Sequence, residues 1–382
     1  GQAKAQPARA EAVPLPYDIW LIGGAFALLC VGLIMVVSTS VSIAEHRDLT
    51  PLYYFKRQLF SAILGITGAI VLTRTPLSYF EQWSTVVLFV AIAFLIAVLI
   101  PGLGHEVNGS MRWLGFGFFT IQTSEPAKVA VAIYVAAYLV RHIKQVRTDF
   151  IGFIKPIGVI TLIAGLLLLE PDFGTAVVLF TTVLGMLFLA GVPYIRFFFW
   201  GLAALSALAA LSMLAPYRLA RLMTFMDPWS DPFNTGFQLT QALIAFGRGE
   251  WFGVGLGNSV QKLFYLPEVH TDFVFAVIAE EGGFVGCLTV ICLFVFLIWR
   301  IFHVGGRAER ANLLFAAYVT YGIGLLIGIQ AFVNIGVNMG ILPTKGLTLP
   351  LMSFGGSGIL ANCVALAILL RIDWENRQMM RG

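Results

Sequence analysis

Apolar runs close to the length of a bilayer crossing follow one another along almost the whole chain. The succession breaks only once, between Pro216 and Asp272. A membrane-spanning helix needs about 20 apolar residues, and backbone inside hydrocarbon must satisfy its own hydrogen bonds. Such a chain is confined to a helical membrane fold. Charged residues make up only 12% of the 382 and mean hydropathy is +0.87, whereas about a quarter of a soluble domain would be charged. The interrupting stretch is rich in Gly, Asp, Asn and Trp. It closes with Leu266-Pro267-Glu268-Val269-His270-Thr271-Asp272 and returns directly to apolar sequence at Phe273-Val274-Phe275-Ala276.

The pattern predicts an all-α polytopic membrane protein with about ten transmembrane helices. They are expected near 18–41, 58–74, 84–101, 125–141, 156–170, 173–191, 194–215, 273–302, 312–338 and 350–371. Residues 1–17, mostly Ala, Gln, Pro and Lys/Arg at the start, read as a flexible tail. Residues 18–371 form one membrane domain, and 372–382 a C-terminal tail. The run Ile19 to Val41 is too long for a signal-peptide core and reads as a retained anchor. Ten crossings leave both termini on one side. Lys and Arg are denser in the short segments on that side, with the turn from Arg141 to Lys155 the clearest case. The positive-inside bias makes that side cytoplasmic and puts the large loop, 216–272, between helices 7 and 8 on the extracytoplasmic face.

Composition excludes several classes. The net charge of +4 carries no basic cluster with interleaved aromatics, so no nucleic-acid partner is expected. The four cysteines (Cys30, Cys287, Cys292 and Cys363) lie inside apolar stretches without zinc or disulfide spacing. The histidines are scattered, and no metal site is expected. Gly247-Arg248-Gly249-Glu250-Trp251-Phe252-Gly253-Val254-Gly255-Leu256-Gly257 fits neither phosphate-loop pattern and reads as a turn-rich loop on the bilayer surface. Gly355-Gly356-Ser357-Gly358 falls inside the expected last span, where it allows close packing or local unwinding. The segment 102–124, with Asn108, Ser110 and Arg112 among aromatics, suits a re-entrant or interfacial piece.

Ionisable residues in spans are costly and need a partner or a task. Glu125-Pro126-Ala127-Lys128 opens a helix, with Pro in the first turn where its missing N–H does no harm. Lys128 either pairs with Glu125 or holds a lipid headgroup phosphate. Glu280 and Glu281 read as structural acids satisfied by neighbouring helices. Gln330, Asn334 and Asn338 recur every four residues on one helix face; they either glue helices together or wall a headgroup cavity. Glu170-Pro171-Asp172 ends one helix and caps the next.

A lone carboxylate at the water edge, beside cations, suits a general base acting on a hydroxyl while the cations hold a departing phosphate. A glycosidase would want two acids around one bond, but a diphosphate leaving group needs no acid. Asp272 fits that base, with Arg112, Lys128, Arg248 and Lys262 as candidate cations. It equally fits a plain acid at a helix N-terminus.

The chain closely resembles the SEDS family (shape, elongation, division and sporulation) of bacterial membrane proteins. The resemblance is carried by Asn108-Gly-Ser-Met-Arg-Trp113, Gln122-Thr-Ser-Glu-Pro-Ala-Lys128, Gln261 through Phe273, Asn334 through Pro350, and Ser353-Phe-Gly-Gly-Ser357. It extends from about residue 18 to 375. Asn338 and Pro343-Thr-Lys-Gly-Leu-Thr-Leu-Pro350 resemble the division branch more than the elongation branch. Gly247-Arg-Gly-Glu250 and Gly358 depart from the family pattern, which touches only details of the loop and last helix.

The resemblance implies ten helices and a peptidoglycan glycosyltransferase of the inner membrane, acting at the division septum. It would polymerise lipid II at the outer face and release undecaprenyl diphosphate. The family's required loop aspartate falls on Asp272. Arg112, Lys128 and Lys262 would hold the diphosphate. Glu125, His270, Lys345, Asn334, Asn338 and Ser353 complete the substrate-binding set. A divalent cation could assist, although the sequence offers no dedicated ligand cluster. The implied partners are a class B penicillin-binding transpeptidase of the FtsI type and the FtsQ, FtsL and FtsB proteins. Two other readings stay open at this level: a lipid II flippase, and a non-catalytic activator of the transpeptidase.

Overall fold

The computed structural model describes residues 17–379 apart from 108–109, 117–118, 215–224, 235 and 345. The expected tail at 1–16 and the candidate Lys345 lie outside the described residues. The helices are α1 (Ile19–His46), α2 (Tyr53–Leu72), α3 (Leu77–Gln82), α4 (Ser84–Val98), α5 (Ser124–Thr148), α6 (Phe150–Leu169), α7 (Phe173–Leu189), α8 (Tyr194–Leu214), α9 (Phe237–Gly249), α10 (Val274–Arg310), α11 (Leu314–Asn338) and α12 (Gly356–Met379). A single π-helical turn covers Gln261–Tyr265.

Each of the ten expected spans overlaps one of these helices. Seven of them (α1, α2, α5, α6, α10, α11 and α12) are long and apolar enough to cross a membrane; α4 and α7 are shorter apolar helices. Large apolar side chains such as Phe26, Phe89, Phe198 and Val295 point outward around an apolar core that also holds polar groups. An apolar outer surface suits hydrocarbon surroundings. α11 is the most enclosed helix, packed against α5, α7 and α10; α2 is the least, resting on α12 and α1.

Helix ends follow local chemistry. The Asp18 carboxylate caps α1 by accepting from the Trp20 and Leu21 amides at 3.0 and 3.1 Å. Asp172 caps α7 by accepting from Thr175 N at 3.2 Å, as the sequence suggests. At the end of the bundle that holds Asp18, Arg300 and Arg307 join Asp18 and Asp373, and Arg377 binds Asp373 at 2.8 Å. These ion pairs carry α12 past its expected end at 371, so most of the expected C-terminal tail is ordered helix. At the other end α12 starts at Gly356 rather than near 350. Gly355–Gly358 therefore forms the mouth of the helix and not its interior.

The segment expected to be re-entrant or interfacial is a three-stranded antiparallel meander: β1 (Gly104–Val107), β2 (Ser110–Phe116) and β3 (Phe119–Gln122). His105 pairs with Trp113, and Trp113 with Gln122. Close approach explains its glycines. A Cβ on Gly115 would lie 2.2 Å from His105 Nε2, and one on Gly104 2.2 Å from the Val98 carbonyl oxygen. The sheet is stitched to α12: Gln122 N donates to Ser357 Oγ at 3.0 Å, and Ser357 Oγ donates to Thr120 O at 3.3 Å.

The glycine-rich stretch of the large loop has a structural task. α10 breaks at Gly283, whose φ is +62. The break frees carbonyls and amides, and the loop backbone takes them up. Val254 N and Gly255 N donate to the Glu280 and Glu281 carbonyls at 2.9 and 3.1 Å, and Phe284 N and Val285 N donate to Glu250 O and Trp251 O at 2.9 and 3.1 Å. A Cβ on Gly249 would stand 1.8 Å from the Ala279 carbonyl oxygen. Backbone thus meets backbone, which only glycine permits here. Glu280 and Glu281, both buried, finish the attachment. Glu280 accepts from Ser259 Oγ and from the Val260 and Gln261 amides at 3.1 and 3.2 Å, with Arg248 at 3.4 Å. Glu281 accepts from Ser38 Oγ and pairs with Lys262 at 3.1 Å. Most of the partners come from the loop rather than from neighbouring helices.

Candidate active site

A cavity of about 330 Å³ opens at the end of the bundle that carries the sheet and the large loop. The turn before α10 supplies Glu268, Thr271 and Asp272 to its wall. The sheet supplies Ser110, Arg112, Trp113 and Gln122, and α9 supplies Gln238. Its remaining walls come from Gly346–Ser353 and the start of α12.

Asp272 sits on a tight turn. The Glu268 carbonyl accepts from the amides of Thr271, Asp272 and Phe273 at 3.2, 3.1 and 3.3 Å. Glu268 itself adopts φ +56, a strained conformation for a non-glycine residue. The Asp272 carbonyl accepts from Asn334 Nδ2 and Asn338 Nδ2, each at 2.9 Å. The amides at four-residue spacing therefore hold the turn from below and do not line the cavity. Ser353 Oγ donates to Thr271 O at 2.5 Å and accepts from Leu349 N at 2.8 Å. Among the described residues, no donor reaches the Asp272 carboxylate. Burial, and then the neighbouring Glu268, push it up to about 7 against the pull of Arg112. A carboxyl with that affinity is poised to exchange protons near neutrality. Gly346 lies directly over it: a Cβ there would be 3.0 Å from Asp272 Oδ2.

Arg112 is fixed from the rear. Its Nε donates to the Glu170 carbonyl at 3.1 Å and its Nη2 to the Pro171 carbonyl at 2.5 Å. The Glu170-Pro171-Asp172 turn thus does more than end one helix and cap the next. The Glu170 carboxyl is fully buried, and burial followed by Asp172 raises it to about 8. That preference for the proton weakens its competition for the Arg112 charge. The first turn of α12 faces the same space with Gly355, Ser357 and Gly358. Helix N-termini present free N–H groups and partial positive charge, which suits an anion.

Several expected residues take other places. Lys128 binds Glu125 at 2.9 Å and Gln330 at 2.6 Å, beneath the cavity floor that Glu125 helps to line. The ion-pair reading of Lys128 is the one the structure shows. Lys262 does not reach the cavity. It is buried against Glu281, Ser38 and the Gly257 carbonyl, since a buried carboxylate at the α10 break needs it more. Arg248 is likewise spent on Glu280. The His270 ring packs between Tyr54 and Phe354, with centroids 5.3 and 5.5 Å away, and burial lowers its proton affinity. It contributes through its carbonyl, which accepts from Phe354 N at 2.8 Å. Conversely, Glu268, Gln122, Ser357 and Asn362 line the cavity without having been expected there. Asn362 carried a signal: it is an amide in the middle of an otherwise apolar span. Among the described residues no group of three or more His, Cys, Asp or Glu could hold a metal ion.

A polar chamber walled by membrane helices, with a carboxylate and a fixed cation on its wall, defines an integral-membrane protein with an enclosed polar site. The comparisons narrow the class. The family model FtsW/RodA/SpoVE, described as cell cycle protein, matches residues 19–378, and this chain belongs to that family. A probable peptidoglycan glycosyltransferase FtsW of Nitrosococcus halophilus is 54% identical, over 94% of this chain and 93% of its own. The protein of the same description from Hahella chejuensis is also 54% identical, over 94% and 90%. Among solved structures, a chain reported under the structural coordination of polymerization and crosslinking by a peptidoglycan synthase complex superposes with TM-score 0.76. It is 28% identical and covers 95% of this chain and 99% of its own. The rod shape determining protein RodA of Thermus thermophilus gives TM-score 0.70 at 26% identity, over 95% and 98%.

Proposed function

We propose that this chain is a peptidoglycan glycosyltransferase of the division type, polymerising lipid II at the outer face of the bacterial inner membrane. The observation that carries the reading is the pairing of Asp272 with Arg112 across one cavity: the carboxyl is tuned to about 7 and the guanidinium is fixed from behind. The family membership and the glycosyltransferase relatives support it.

In this reading Asp272 takes the proton from an acceptor sugar hydroxyl. The hydroxyl oxygen attacks the anomeric carbon of the donor sugar, and the bond from that carbon to the diphosphate oxygen breaks. Undecaprenyl diphosphate leaves, and the anomeric centre inverts. Arg112 and the first turn of α12 hold the negative charge that grows on the diphosphate, which is where preorganised donors accelerate a reaction most. Lys128 adds positive potential from beneath. Glu125 and Ser353 shape the chamber, and Asn334 and Asn338 fix the base. Lys345, next to Gly346, is assigned to the substrate.

The membrane domain crosses ten times with both termini cytoplasmic, so that the cavity opens outward at the septum. A class B transpeptidase of the FtsI type is its partner, and FtsQ, FtsL and FtsB join the assembly. The test is purified protein reconstituted with its transpeptidase and given lipid II. Glycan strands are the expected product. A liposome assay that records headgroup transfer but no strands would replace the polymerase with a flippase.

A further inference from the structure

α2 is the least enclosed of the seven long apolar helices, and its Phe60, Ile63, Leu64 and Ile70 side chains face outward. Its buried positions, Tyr54, Gln58, Ala62 and Gly65, form one stripe at helical spacing. Gln58 puts a buried amide into that stripe. An amide taken out of water without hydrogen bonds is costly, and this one makes two. Its Nε2 donates to Ser353 O at 2.9 Å, and its Oε1 accepts from Gly355 N at 3.1 Å. One side chain thus grips the backbone on both sides of Phe354.

The gripped segment borders the reaction cavity, which Ser353, Phe354 and Gly355 all line. Its other edge is bound to the turn that carries Asp272. Phe354 N donates to His270 O at 2.8 Å, and Ser353 Oγ donates to Thr271 O at 2.5 Å. The Tyr54 ring, one helical turn from Gln58, packs on both Phe354 and His270 with centroids 5.3 Å away. Gly355 is also where α12 begins, because its carbonyl accepts from Ile359 N at 3.1 Å. Its amide goes to Gln58. The next three amides, of Gly356, Ser357 and Gly358, belong to the first turn and have no intrahelical acceptor.

We infer that Gln58 is a positioning residue for the diphosphate: through Gly355 it sets where the first turn of α12 stands against the cavity. The inference rests on the glycosyl-transfer reading, which makes that turn the seat of the leaving group. Packing alone does not call for an amide here. An apolar side chain of the same length would fill the stripe, but it would leave the Ser353 carbonyl and the Gly355 amide without these partners. Helix amides recognise an anion only when their N–H bonds point at it, so a clamp at the residue before the first turn acts on the site itself.

The experiment uses the full-length protein reconstituted with its transpeptidase and compares three variants. Gln58→Met fills the space and loses both bonds. Gln58→Glu keeps the shape, and as a carboxylic acid it can donate to Ser353 O and accept from Gly355 N. Gly65→Ala is the packing control: its Cβ would lie 2.8 Å from Cys363 Sγ, on the same face of α2 and away from Gly355. KM for lipid II and Kd for undecaprenyl diphosphate should both rise about fivefold in Gln58→Met and stay within about twofold of wild type in Gln58→Glu. Gly65→Ala should lower the unfolding temperature and move neither constant. Unchanged constants in Gln58→Met would overturn the inference, as would an equal rise in Gly65→Ala at the same loss of unfolding temperature. Should Gln58→Met fail to fold, Gln58→Asn, one methylene too short to span both atoms, takes its place with the same expected rise. Binding of undecaprenyl diphosphate is read without turnover, so a wild-type protein that binds it and makes no strands would strike the glycosyl-transfer reading alone.

Discussion

The side chain of Asn338 bridges Asp272 to the first turn of α10. Its Nδ2 donates to the Asp272 carbonyl at 2.9 Å, and its Oδ1 accepts from Ala276 N at 3.0 Å. Asn338 is fully buried, and its Nδ2 also donates to Asn334 O at 2.9 Å. Asn334 adds a second donor to the same carbonyl and a bond to Leu347 O at 2.5 Å. Asp272 is thereby tied to α11, the most enclosed of the seven long apolar helices.

Asn338→Ala should therefore slow catalysis without abolishing it. Loss of one positioning bond to a base typically costs about 1–2 kcal/mol, or roughly tenfold in rate. Strand formation at saturating lipid II should fall by about that factor, while KM changes little. Asn334→Ala should do the same and also loosen the 346–349 segment, which a lower unfolding temperature would register.

The pH dependence has a definite sign. In the proposed mechanism Asp272 acts as a base only when ionised, and its affinity is raised to about 7. Activity should rise with pH through that value and level off above it, falling to about one tenth near pH 6. Glu268→Gln removes a charge that raises the Asp272 value. The profile should shift to lower pH in that variant.

Lys262 is needed by the fold rather than by the diphosphate. Lys262→Met leaves Glu281 buried without its cation, a change that costs about 3–5 kcal/mol. Thermal unfolding in detergent should drop sharply. The double variant Lys262→Met with Glu281→Gln should recover much of the loss, because both charges are gone.

Arg112→Lys keeps the charge and loses the fork. A lysine cannot bond both the Glu170 and Pro171 carbonyls while presenting a planar face to a diphosphate. KM for lipid II should rise about tenfold or more, with folding unchanged.

The helices were legible in the sequence because apolar length is a strong signal and each expected span meets one. The place of Asp272 on the cavity wall was legible because a carboxylate at a span boundary is rare. The errors share one cause. The partner of Lys262 is Glu281, on the far side of the turn and at a helix break that hydropathy does not mark. Segment 104–122 pairs as strands because Gly104 and Gly115 allow close contact, but the same glycines and aromatics also suit an interfacial loop. Glu268 escaped notice because its task is set by a positive φ, which the residue type does not announce. The two carbonyls that fix Arg112 are backbone atoms, so no side-chain pattern could have revealed them.

The most direct measurement is strand synthesis by Asp272→Asn, an isosteric change that keeps the turn and removes the base. The variant should be reconstituted with its transpeptidase, with folding checked by its unfolding temperature. The account predicts a folded protein that binds lipid II and makes less than about one hundredth of the wild-type polymer. Polymer at the wild-type rate from folded Asp272→Asn would contradict it.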